Sequence, residues 1–101
     1  MALQQTNVNF DRANIISGML NNDQHCFSKI YDEYAASLFG LLIKWVMEKE
    51  KAEILLHKTF IKAWHNRKLF EAEKEEFFYW LCKLARVCYN DYVVIEKYET
   101  I

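Results

Sequence analysis

Between Ala52 and Trp64 the chain carries two interleaved stripes. Ala52, Leu55, Leu56, Thr59, Phe60 and Ala63 recur at spacings of three and four, the period of one buried helical face. Ile54, His57, Lys58 and Ile61 fall at i, i+3, i+4, i+7 and share a different face. The first stripe is expected to hold the helix in a core. The second is expected to stand outward, where a partner would meet it.

The same pattern predicts three more helices. A short one runs from about Asp11 to Leu20, with Ile15, Ile16, Met19 and Leu20 on one apolar face. Asn21-Asn22-Asp23 reads as a turn, and Asp23 suits the N-cap of the next helix. That long helix is predicted from about Gln24 to Met47, with Phe27, Ile30, Tyr31, Tyr34, Leu38, Leu41, Leu42 and Trp45 at helical spacing. Gly40 inside it costs about 1 kcal/mol against alanine, so it is expected to mark a close helix–helix contact. Glu48-Lys49-Glu50-Lys51 reads as a charged connection or as the first turn of the Ala52 helix, which extends to about Asn66. Arg67 to Glu73 loses periodicity and reads as a loop. The last helix is predicted from about Lys74 to Lys97, burying Phe77, Trp80, Leu81, Leu84, Ala85, Cys88 and Tyr92. The β-branched run Val93-Val94-Ile95 lowers helix propensity near its end.

Composition narrows the fold class. The chain has no proline and only two glycines, Gly18 and Gly40, too few turn formers for a strand-rich domain. At 101 residues and 52% hydrophobic content it can bury one modest core. We expect an all-α, compact bundle of about four helices over residues 11–98, with a polar, disordered stretch over residues 1–10. Cys26, Cys82 and Cys88 are odd in number, lack a Cys-x-x-Cys pair and sit among apolar neighbours, which suits reduced, buried thiols. The N-terminus does not read as a signal peptide, and the longest apolar run, Leu38–Val46, is interrupted by Lys44 and too short to span a membrane. A cytoplasmic location with no membrane partner is expected.

The net charge of −1 gives no nucleic-acid signal as a whole, but its distribution is uneven. Residues 44–70 hold Lys44, Lys49, Lys51, Lys58, Lys62, Arg67 and Lys68 against three glutamates, a local excess of +4 between acidic ends. Such a stretch fits a polyanion footprint and fits a solvated mixed-charge surface equally well. Catalytic chemistry is poorly represented. Glu53 and His57 lie four apart, whereas di-iron bundles use Glu-x-x-His, twice. His25 and His65 are isolated, and there is no nucleophile triad, phosphate loop or zinc spacing. No enzymatic activity, metal or cofactor is expected.

Three motifs, in order, resemble region 2 of bacterial sigma-70-type initiation factors, in particular the small extracytoplasmic-function group. Asn22-Asp23 with Phe27, Tyr31 and Tyr34 is similar to that family's Gly-Asp, Ala-Phe, Leu-Tyr and Tyr pattern. Ala52-Glu53 through Phe60-Ile61-Lys62-Ala63-Trp64 is similar to its Ala-Glu-Asp-x-x-Gln-Glu-x-Phe-x-x-Ala-Trp. Phe78, Trp80-Leu81, Leu84-Ala85-Arg86 and Asp91 are similar to its Phe-x-x-Trp-Leu-x-x-Ile-Ala-Arg and later Asp. The match covers roughly residues 12–95.

The resemblance implies a helical bundle with no chemistry of its own. The outward face of the third helix (Glu53, Ile54, His57, Lys58 and Ile61) would dock on the clamp helices of the RNA polymerase β′ subunit. The loop after it and the last helix would capture melted bases of the promoter −10 element. The residues implied for DNA are Lys62, Arg67, Lys68, Lys74, Tyr79, Trp80, Lys83, Arg86 and Asn90. Polymerase core, promoter DNA and an anti-sigma factor are the implied partners. Full members also carry a helix-turn-helix domain for the −35 element, which these 101 residues do not include.

The departures fall on the contact faces. Ile54, His57 and Lys58 stand where the family has Asp, Gln and Glu, and a base in place of an acid can cost several kcal/mol across an interface. Val87 replaces an Asn, Val94 a basic residue, and the Glu96–Glu99 tail is acidic on balance. These changes imply weaker phosphate contacts. Basic residues and the aromatic cluster Phe77–Trp80 still suit single-stranded nucleic acid. Within that cluster Trp80 also fits the core, Tyr79 is the better stacking candidate, and Arg86 fits a tie between helices. The alternative function is an interaction module that keeps the fold but not its partners. There the Ile54/Ile61 stripe would bind another helix or a second copy, unless the first helix covers Ile54.

Overall fold

The computed structural model describes residues 11–99. Its elements are α1 (Arg12–Leu20), α2 (Gln24–Val46), α3 (Lys49–His65), a 3-10 turn (Arg67–Leu69) and α4 (Phe77–Glu99). They form an all-α bundle. The disorder expected for residues 1–10 concerns positions outside the described residues. No helix among those described is long and apolar enough to cross a membrane.

Local chemistry sets the first boundaries. Asp11 caps α1 by accepting from the Asn14 N–H at 3.3 Å. Asp23 caps α2, accepting from the His25 and Cys26 N–H groups at 2.9 and 3.4 Å. These donors, with the Cys26 thiol first, hold the Asp23 carboxyl below its usual pKa. Between them Asn22 adopts φ 70°, a left-handed conformation that asparagine tolerates better than most residues.

Gly18, not Gly40, marks the close approach. A Cβ built at Gly18 would collide with the Cys26 sulfur, so α1 and α2 meet here because nothing projects between them. A Cβ at Gly40 would meet nothing within 4 Å, which corrects the sequence expectation. Helical spacing shows that a glycine lies in a helix. It does not show which neighbour the glycine faces.

α3 is the central element, packed on α2 along one side and α4 along the other, while α1 closes over α2. All six residues of its inner stripe are buried. Phe60 takes the ring of Tyr31 at 4.7 Å and of Phe27 at 6.1 Å between centroids. The flanking helices bury Ile15, Ile16 and Met19 from α1, Ile30, Tyr34, Leu38 and Leu42 from α2, and Phe77, Trp80, Leu81, Ala85 and Cys88 from α4. The other apolar residues predicted for these faces, such as Phe27, Trp45, Leu84 and Tyr92, are half-buried at the margins. Of the cysteines, all free, Cys88 is buried and Cys26 and Cys82 are half-buried.

α4 begins at Phe77, three residues later than its pattern suggests. The intervening chain turns instead, with Lys74 and Glu75 donating backbone N–H groups to the Glu71 carbonyl. The turn lets Phe70 re-enter the core, where its ring lies 5.2 Å from Phe77 and 5.3 Å from Trp80. The β-branched run does not end α4, which continues through Glu99.

Lys51 lies in the first turn of α3 rather than in a connection, and it holds that turn to the far end of α4. Its ammonium donates to Glu96 at 2.8 Å and lies 3.2 Å from Glu48. The Tyr92 hydroxyl donates to the same Glu96 carboxylate at 2.6 Å. The bond from Lys51, more than any other contact, lowers the Glu96 pKa, and the Glu96 carboxylate in turn raises that of Lys51.

Candidate functional site

The outer stripe of α3 is open along its length. Ile54 is 52% exposed and Ile61 57%, and Glu53, His57 and Lys58 are exposed around them. α1 therefore leaves Ile54 uncovered. The stripe forms a ridge between two grooves. On the α2 side, Phe27, Phe60 and Trp64 line a depression of about 490 Å³, with His57 and His65 at its rim. Phe27 and Trp64 lie 5.0 Å apart there, and Tyr31 stacks on His57 at 6.5 Å. On the α4 side, Lys58, Ile61 and Lys62 face Asp91, Tyr92 and Ile95 across a groove of about 430 Å³.

The residues implied for DNA do not share one setting. Lys68, Tyr79 and Asn90 are exposed, Tyr79 at 61%. Lys74 and Lys83 are exposed but ion-paired, with Glu71 at 3.3 Å and Glu75 at 2.5 Å, and Lys83 also sits over the Tyr79 ring at 5.3 Å. Lys62 lines the α3–α4 groove instead of the loop. Arg86 is exposed but spans helices, its guanidinium 4.6 Å from the Trp45 ring of α2. Its placement realises the tie between helices read as one of its two options.

Two residues are corrected. Trp80 is buried against Phe70 and Phe77, so its ring has no free face for a base. Arg67 turns inward. Its guanidinium stacks on Trp64 at 3.9 Å, donates to the Trp64 carbonyl at 2.5 Å, and donates to the Asn22 side chain. It ties the α3 C-terminus to the α1–α2 turn, which is a structural duty. Its Nε is buried with no hydrogen-bond partner among the described residues.

Asp91, Tyr92 and Ile95 line the groove, although the sequence reading placed Asp91 only in the third motif, Tyr92 in the core and Ile95 in the β-branched run. A signal for Asp91 was present in the helical spacing of the α4 tail, where Val87, Asp91, Val94 and Tyr98 fall at i, i+4, i+7, i+11 and are all exposed. Among the described residues no group of three or more His, Cys, Asp or Glu side chains is placed to share a metal ion. No protein-family model, no curated protein and no solved structure matches the chain.

Proposed function

We propose that this chain is a sigma region 2-like domain for transcription initiation, which binds the β′ clamp helices of RNA polymerase and the promoter −10 element. The observation that carries the reading is the sorting of one motif on one helix. The apolar positions of the central motif, Ala52 through Ala63, stand in the core, and the positions the family uses for polymerase stand on the open ridge. Glu53, Ile54, His57, Lys58 and Ile61 form the polymerase face. Tyr79 supplies an exposed ring for a melted base, flanked by Lys83; Lys68 and Lys74 add basic groups on the preceding loop, Arg86 and Asn90 further polar positions along α4, and Lys62 stands apart in the α3–α4 groove. The domain acts by binding, in the cytoplasm, without a cofactor.

The test is titration of the domain against the β′ clamp-helix fragment and against a single-stranded −10 oligonucleotide. Binding near the micromolar range that Lys58→Glu alters, together with oligonucleotide binding weakened by Tyr79→Ala, is the expected result. A second reading is favoured by the exposure of Ile54 and Ile61 beside Lys58, where the family presents carboxylates. It holds that the fold serves as a protein-interaction module. No clamp binding by the native domain, restored by Ile54→Asp with Lys58→Glu, selects this reading.

A further inference from the structure

The α3–α4 groove has an apolar floor and charged side chains on both walls. Ile61 and Ile95 stand 57% and 55% exposed at its edges. Lys58 and Lys62 line the α3 wall and Asp91 the α4 wall. Among the described residues none of these three makes an ion pair, whereas Lys51, Lys74 and Lys83 all do. The α3 wall, basic beside an apolar floor, therefore suits a helix that is apolar along one edge and carries a carboxylate on its flank. The chain itself presents one. The outer stripe of α4 carries Val87, Val94 and Tyr98 with Asp91 between them, and Glu99 stands at its end.

We infer that the α3–α4 face is a self-association surface, on which a second copy of this chain lays its α4 stripe into the groove and receives the first copy's α4 in return. The arrangement is two-fold, and in such an interface each contact occurs twice with the roles exchanged. The basic α3 wall of each copy meets the α4 stripe of the other at its one carboxylate, so Lys58 and Lys62 gain Asp91 of the second copy. Ile61, Val94 and Ile95 close the seam against water. An α3 wall facing an α3 wall would instead set lysines against lysines, so charge selects the α3-to-α4 pairing. The inference stands apart from the polymerase reading. A paired copy covers Lys58 and Ile61, so dimer and clamp complex exclude each other.

The experiment is sedimentation equilibrium of the full chain from about 1 to about 500 µM, without polymerase or DNA. The native chain is expected to dimerise in this range. Lys62→Glu and Asp91→Lys, each alone, set like charges across the seam and are expected to raise the dissociation constant at least about tenfold. Circular dichroism is expected to show both variants folded, since Asp91 is exposed and Lys62 lines an open groove outside the core. Mixed one to one, they are expected to form a heterodimer. The acid introduced at position 62 of one variant then meets the base introduced at position 91 of the other, while the unaltered Lys62 and Asp91 pair as in the native dimer. A native chain that stays monomeric overturns the inference, including one that instead takes up an acidic amphipathic peptide. So does a dimer indifferent to both substitutions, or a mixture no more associated than its parts.

Discussion

The two faces of α3 are built from the same 17 residues and obey opposite rules. On the inner face Ala52, Leu55, Thr59 and Ala63 are wholly buried, and the hydroxyl of Thr59 is satisfied by donating to the Leu55 carbonyl at 2.7 Å. On the outer face Ile54 and Ile61 lie open beside His57 and Lys58. Folding accounts for every inner residue, because burial of apolar area holds the helix to α2 and α4. It accounts for neither outer isoleucine. A single exposed isoleucine is ordinary. Two on one ridge, the second of them facing Ile95 across a groove, form an apolar surface of the kind that marks a contact.

Substitution on the two faces should separate them cleanly. Leu55→Ala is expected to cost about 2–5 kcal/mol in urea unfolding, because it empties a fully buried site between helices. Ile54→Ala, one residue away, is expected to fall within about 0.5 kcal/mol of the native chain. Equal losses at both positions would break the comparison. The two glycines sharpen it by testing fit in place of burial. Gly18→Ala must push against Cys26 and is expected to cost about 1–3 kcal/mol, read from the same urea midpoint. Gly40→Ala adds a methyl in open space and is expected to stabilise by about 0.5–1 kcal/mol. A reversed order for this pair would mean that the α1–α2 approach is wrongly placed.

The smallest effect is expected from the half-exposed ion pair at the α3 N-terminus. Glu96 has a lowered pKa, so its contribution is complete above its unfolded value near 4.5 and fades as pH falls through the lower folded value. Lys51 has a raised pKa, so its share is complete below 10.5 and fades only as pH rises through the higher folded value. Lys51→Met should therefore flatten the acid limb of a stability–pH curve measured by thermal unfolding and leave the native chain's advantage greatest between those limits. An unchanged acid limb would show that the pair does not hold α3 to α4 in solution.

Periodicity made both faces of α3 legible, because spacing within a helix carries its own geometry. Asp23 was legible as a cap for the same reason: the bonds it makes are to residues two and three positions away. What escaped were contacts between positions distant in sequence. Arg67 reads as a free basic residue until Asn22, 45 positions earlier, is brought beside it. Lys51 likewise meets Glu96 only once α3 and α4 run side by side. Trp80 was ambiguous because an aromatic in a basic setting suits either a core or a base. Phe70, in a stretch without periodicity, decided it by entering the core beside that ring. The α4 wall of the groove was hidden because Cys88 and Tyr92 read as core, which masks the outward role of Asp91 and Ile95 beside them.

The turn before α4 has a consequence for how the chain can be divided. Arg67 and Phe70 fasten the chain ahead of it and Phe77 behind it, while residues 71–74 stand exposed between these anchors. A protease admitted there would sever the backbone without loosening the helices it connects, since α4 is held through Phe77, Trp80, Leu81 and Ala85. The two fragments would stay together as a nicked whole.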